Sequence, residues 1–235
     1  MSHAKEEPPL LFGASDRIEL IATITMALAA ILTAWCAFQA TKWGGIMSIE
    51  FSSANATRIE SAKAEGLANT QRSVDVNVYT QWLEAVAGEI AEGVIPPVRE
   101  AGYEPQEGTL SAFYFERMRP EFKTALDAWL ETDPLNDPAA PPTPFAMEEY
   151  RLEASIAAGD LVSRSEAHRQ AALDANQNGD NYVLTVVGFS LVIFFAGISS
   201  KLKQQRNRWI TLVLAMLLFV LGIVALAFLP IVSPF

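Results

Sequence analysis

An all-α membrane protein is the fold class this sequence predicts. Three transmembrane helices carry, between the first and second, a helical, antiparallel, coiled-coil-like extracytoplasmic domain. Three observations predict it: long apolar runs, an uneven distribution of charge, and apolar residues spaced at helical intervals. The runs are Leu20–Phe38, Tyr182–Ile198 and Trp209–Leu229, each free of Asp, Glu, Lys, Arg and His. A helix crosses a bilayer with about 17–25 such residues, and a soluble core of this size rarely holds helices apolar on every side. The net charge of the 235 residues is −10, but it is partitioned. Residues 1–40 hold two basic and four acidic side chains, residues 41–180 hold 11 and 23, and residues 181–235 hold four and none.

The elements follow in order as an N-terminal cytoplasmic arm (1–17), a first transmembrane helix (18–40), an extracytoplasmic domain (41–180), a second transmembrane helix (181–200), a basic loop (201–208), a third transmembrane helix (209–230) and a short tail (231–235). The first span reads as uncleaved. Glu6, Glu7 and Asp16 make its flank acidic, whereas a signal peptide has a basic flank and a shorter apolar core. "AFQA" is a poor cleavage site, and Trp35 directly before Cys36 argues against a lipoprotein. Cys36 is the single cysteine, so no intrachain disulfide forms.

"KLKQQRNR" orients the chain. Short loops rich in Lys and Arg stay on the cytoplasmic side, which places Lys201, Lys203, Arg206 and Arg208 there. The second and third spans then run inward and outward, the first runs outward, and residues 41–180 lie beyond the membrane. Their 11 basic residues do not oppose this, because long domains translocate largely regardless of charge. Trp43, Tyr182 and Trp209 fall at span ends, where amphipathic rings prefer the headgroup layer.

Within the outer domain, Ile46 to about Gly93 lacks proline, and Leu67, Val74, Val78, Trp82 and Ala85 form a helical stripe. "SVDVNVY" alternates like a strand, but helical flanks favour helix. "IPPVREAGYEPQEG" is a turn region, since proline lacks the helical donor. "TLSAFYFERMRPEFKTALDAWLET" is helical with a new start at Pro120. "DPLNDPAAPPTPF" is a semi-rigid link. From Ala146 to about Asn178 the pattern is helical again, with Tyr150, Leu152, Ile156, Leu161 and Ala171 as inward candidates and Glu148–Glu149 at the helix start. The two long helices pair antiparallel. Gly44 and Gly45 after the first span, and Gly179 before the second, read either as helix breaks or as hinges; Lys42 and Asp180 are a candidate ion pair between the two necks.

Span one has a sorted surface. Ala22, Thr25, Ala29, Thr33, Cys36 and Ala40 recur at steps of three or four and share one stripe, opposite Ile24, Leu28, Ile31, Trp35 and Phe38. Small faces pack in lipid because backbones approach closely. Three partners fit: the chain's own other spans, a second copy of span one, or a water-filled pore offered the oxygens of Thr25 and Thr33. Gln39 at the span end is weak evidence for a polar pathway.

Motifs for catalysis are absent. His3 lies in the arm, and His168 in "SRSEAHRQ" has no acid three or four residues earlier, so the Glu-x-x-His metal arrangement is missing; it reads as a solvated histidine. No phosphate-binding loop, nucleophile elbow, dinucleotide fingerprint or Cys pair occurs. No ionisable side chain in a span offers proton coupling, inverted repeats are not visible, and an acidic outer domain argues against nucleic acid. No cofactor or metal is expected.

"AWCAFQATKWGG", "RMRPEFKTALDAWL", "NDPAAPPTPFAMEEY" and "NYVLTVVGFSLVIFFAGIS" together resemble a family of bacterial inner-membrane proteins without an assigned function. The resemblance implies an N-terminal span, a helical outer domain and a C-terminal span pair in a bacterial inner membrane. It implies no catalytic motif. The sequence expectation is thus a non-enzymatic scaffold in the lipid bilayer, forming a homo-oligomer or joining a larger membrane protein complex. The alternative is a small oligomeric ion channel lined by span one, with an acidic vestibule that concentrates cations.

Overall fold

The computed structural model describes residues 14–96, 98, 103–134 and 137–233. The arm up to residue 13, with His3, lies outside the described residues, as does part of the expected turn region. Among the described residues there are five α-helices: α1 (Ala14–Ala91), α2 (Leu110–Arg117), α3 (Pro120–Leu130), α4 (Glu153–Lys201) and α5 (Gln205–Phe228), with a 3-10 turn at Pro144–Ala146. The described residues contain no strand. α1, α4 and α5 are each long and apolar enough to cross a membrane. "SVDVNVY" is helical, because its alternation is local while its neighbours on both sides propagate the helix.

The chain forms two compact units, Met1–Ser53 with His168–Phe235, and Ala54–Ala167. In the first unit α1, α4 and α5 pack around Ile18, Ala22, Ala29, Cys36, Tyr182, Phe189, Val192, Ala196, Leu212 and Ala215. α1 and α4 run antiparallel: Gly197 approaches Met26 while Gly179 approaches Ala40 and Trp43. α4 turns sharply into α5, where Arg208 Nε donates to the Ser199 carbonyl at 3.3 Å. α5 then runs parallel to α1, with the Thr25 hydroxyl 3.4 Å from Met216 Sδ near one end and Gln39 against Val232 at the other.

The second unit pairs α1 and α4 through small residues. Ser61 Oγ donates to the Ala158 carbonyl at 3.0 Å, and Ser165 Oγ to the Ala54 carbonyl at 2.9 Å, which fixes an antiparallel register. Ala54, Ser61, Ala68, Asp75 and Trp82, spaced by seven, form the buried line of α1. The expected stripe differs in part: Trp82 is buried, but Leu67 and Val74 are 54% and 47% exposed. Backbones this close admit Ala and Ser at the contact and displace the larger side chains outward. Ile156 is exposed for the same reason; Ala171 is also exposed, on a face of α4 turned from the contact, while Leu152 is buried.

At the far end of the unit, aromatic rings take over. Tyr79, Trp82, Tyr103, Phe122, Leu126, Trp129 and Leu130 form the core with Val86, Ile95 and Met118. Tyr79 meets Phe122, Trp129 and Phe145 edge to face, with centroids 6.0, 6.1 and 5.7 Å away. Pro120 begins α3, as its fixed φ suits a first helical position, and it drives Arg119 into the extended region. α4 starts at Glu153 rather than Ala146. Residues 147–152 instead form a turn that carries Tyr150 and Leu152 to the core, so Glu148–Glu149 are exposed outside the helix.

Candidate functional site

The small-residue stripe near the start of α1 is used inside the chain. Ala22, Ala29 and Cys36 are fully buried and Thr25 nearly so, against α4 and α5, with Ala40 and Thr33 half-buried. Thr25 and Thr33 donate their hydroxyls to the carbonyls of Ile21 and Ala29 one turn back, at 2.8 and 2.7 Å. Ile24, Leu28, Ile31 and Phe38 are exposed on the other side.

The basic turn is tighter than an eight-residue loop. Lys201 closes α4, Lys203 sits in the link, and Arg206 and Arg208 already belong to α5. A cation suits the last turn of α4, but two at the start of α5 oppose the helix dipole. Helix energetics therefore accounts for Lys201, and Arg208 satisfies the Ser199 carbonyl in the last turn of α4, which leaves Arg206 without such an account.

The necks are helical throughout, with Gly44 and Gly45 inside α1 and Gly179 inside α4. A helix break at these glycines is therefore corrected. At Gly179 a Cβ would lie 3.7 Å from both the Ala40 carbonyl oxygen and Trp43 Cβ, an ordinary contact distance. No Lys42–Asp180 ion pair forms among the described residues; Asp180 accepts from the Asn176 amide at 3.2 Å. His168 is not simply solvated. Its Nδ1 lies 2.7 Å from Glu50 Oε2, an ion pair when the imidazole is protonated. The partner is 118 residues away in sequence, so no local motif announces it.

Two acids missed by sequence reasoning organise the second unit. Asp75 is 2% exposed, accepts from the Tyr150 hydroxyl at 3.0 Å and faces Arg119 Nη1 at 3.6 Å. Arg119 also reaches Glu121 at 3.2 Å. Burial pushes the Asp75 carboxyl above the usual carboxylate range; the Tyr150 hydrogen bond and Arg119 pull the other way, and Glu121 adds to the rise. Burial and the neighbouring Asp75 likewise raise the Tyr150 phenol. Glu89, from α1, caps α2: its Oε1 accepts from the amides of Leu110 and Ser111 at 2.8 and 3.0 Å, and its Oε2 accepts from Ser111 Oγ. The Tyr103 hydroxyl donates to Ser111 Oγ at 2.6 Å. These groups hold α1, α2, α3 and the turn before α4 together.

Among the described residues no group of three or more His, Cys, Asp or Glu side chains is placed to hold a metal ion. An apolar pocket of about 140 Å³ lies between Trp82, Val86, Ile90, Trp129 and Leu130. No family model, curated protein or solved structure matches this chain.

Proposed function

We propose that the protein is a non-enzymatic integral scaffold of a bacterial inner membrane, whose unit at Ala54–Ala167 docks a second copy or a larger membrane complex. In this reading α1, α4 and α5 are the three spans, the basic turn is cytoplasmic, and the second unit is an extracytoplasmic, antiparallel coiled-coil stalk capped by the aromatic core. Arg206, unfavourable for the α5 dipole, acts with Lys201, Lys203 and Arg208 as the charge that holds the turn on the cytoplasmic side. The seven-residue spacing of the buried line supports the coiled-coil geometry.

The observation that carries the interaction is apolar exposure on α1 outside its candidate span. Ile59, Leu67 and Val74 are 58%, 54% and 47% exposed, and Leu67 and Val74, seven residues apart, share one face. Grouped apolar exposure outside a lipid-facing segment marks a protein interface.

The test is gentle solubilisation followed by particle imaging and mass measurement of the native chain and of the Leu67→Glu/Val74→Glu double variant. The native chain is expected in a complex larger than one copy. The double variant, altered only at exposed positions, is expected to keep its helicity and lose that mass. A monomeric native particle, or an unchanged mass in the variant, would refute the docking surface. Single-channel currents from the purified protein would favour the pore instead.

A further inference from the structure

Pro230 ends the third apolar helix and sets up an unusual contact. A residue before proline is pushed out of the helical region, and Leu229 accordingly adopts φ −82° and ψ 136°. The chain leaves α5 extended and passes Gln39, Trp43 and Tyr182. Gln39 is fully buried, and both ends of its amide are spent on one residue: Nε2 donates to the Val232 carbonyl at 3.1 Å, and Oε1 accepts from the Val232 amide at 3.0 Å. Trp43 Nε1 and the Tyr182 hydroxyl both donate to the Pro230 carbonyl, at 3.1 and 3.2 Å.

A side-chain amide that gives and takes one hydrogen bond with the same residue reproduces the pairing of two backbones in an antiparallel ladder. The side chains of Pro230 and Ile231 stay exposed, Ile231 at 64%. These four contacts all go to main-chain atoms. We infer that Gln39, Trp43 and Tyr182 form a binding site for an extended peptide main chain, which the chain's own Pro230–Val232 segment fills. Its ligand class is an extended segment with a carbonyl for Trp43 and Tyr182 and, two residues on, a free N–H and carbonyl for Gln39. Proline is tolerated at the first position, where no N–H is used, and excluded at the third. Filling the site ties the end of α5 to α1 and α4. The inference stands independently of any partner for the second unit.

The test uses the intact protein in lipid nanodiscs with a nitroxide on Ile231→Cys, a position whose side chain is free to carry it. Cys36 is fully buried and stays unlabelled. In the native background the label is expected to be immobilised. Gln39→Leu, which removes two hydrogen bonds at nearly constant size, is expected to raise the ratio of mobile to immobile label about tenfold. With Gln39 in place, the peptide acetyl-Leu-Pro-Ile-Val-Ser-amide in large excess is expected to mobilise the label. The same peptide methylated on the valine nitrogen is expected to do nothing. A label equally immobile in Gln39→Leu, no displacement by the parent peptide, or equal displacement by the methylated one would each overturn the inference; the peptide arms do not depend on the variant folding.

Discussion

The contact between α4 and α5 can be tested with one methyl group. A Cβ built on Gly222 would sit 2.8 Å from Cε1, 3.0 Å from Cζ and 3.4 Å from Cδ1 of Phe189. That ring cannot easily move: it is fully buried and packs against Phe219 with centroids 6.0 Å apart. Gly222→Ala therefore combines a helix gain of roughly 0.5–1 kcal/mol with an overpacking cost of roughly 1–3 kcal/mol. The net expectation is a loss of about 1–2 kcal/mol, or roughly 5- to 30-fold in the folded-to-unfolded ratio. Gly188, on α4, is the control, because nothing lies within 4 Å of its Cβ position; Gly188→Ala is expected to be neutral or stabilising. Denaturant titration of helicity in mixed micelles reads both. Phe189→Leu should relieve the clash, so the Gly222→Ala/Phe189→Leu pair is expected to lose less than the sum of its members. If Gly222→Ala matched Gly188→Ala in stability, the close α4–α5 packing described above would be wrong.

Two further outcomes concern the second unit. Glu89→Ala removes the acceptor of two amides and a hydroxyl at the start of α2, at a cost of about 2–3 kcal/mol. Amide hydrogen exchange at Leu110 and Ser111 should accelerate, while Glu89→Gln, which keeps one acceptor, should fall between. Asp75 sets a pH response of defined sign. Its raised folded-state value means the folded chain holds this proton more tightly than the unfolded chain. Its contribution therefore grows as pH falls from above the folded value towards the unfolded one, near 3.9, and is lost on the way back up. Asp75→Asn should flatten the stability profile in that window; an unchanged slope would count against a buried, ionisable Asp75.

Residues that act through their neighbours in sequence were legible, and those that act across the fold were not. The apolar runs and the Pro120 restart follow from composition and local backbone geometry, and they stand in the structure. The necks misled because a single glycine need not end a helix that its neighbours propagate on both sides, and Gly44, Gly45 and Gly179 all lie inside continuous helix. The buried line of α1 misled because periodicity was read from large apolar residues, whereas the close α1–α4 contact selects Ala54, Ser61 and Ala68. His168 and Glu50, Asp75 and Tyr150, and Gln39 and Val232 are separated by 118, 75 and 193 residues, beyond any local pattern. Gln39 did carry a signal: an amide at the end of an apolar run needs a partner, and here the partner is the backbone after α5.

Cysteine accessibility in intact spheroplasts reads the sidedness of the chain on which the proposed topology rests. Ala139 and Gln204 are exposed, while the native Cys36 is buried and silent. An impermeant maleimide is expected to label Ala139→Cys before lysis and Gln204→Cys only after it. Labelling of Gln204→Cys in intact spheroplasts, with Ala139→Cys protected until lysis, would contradict the account.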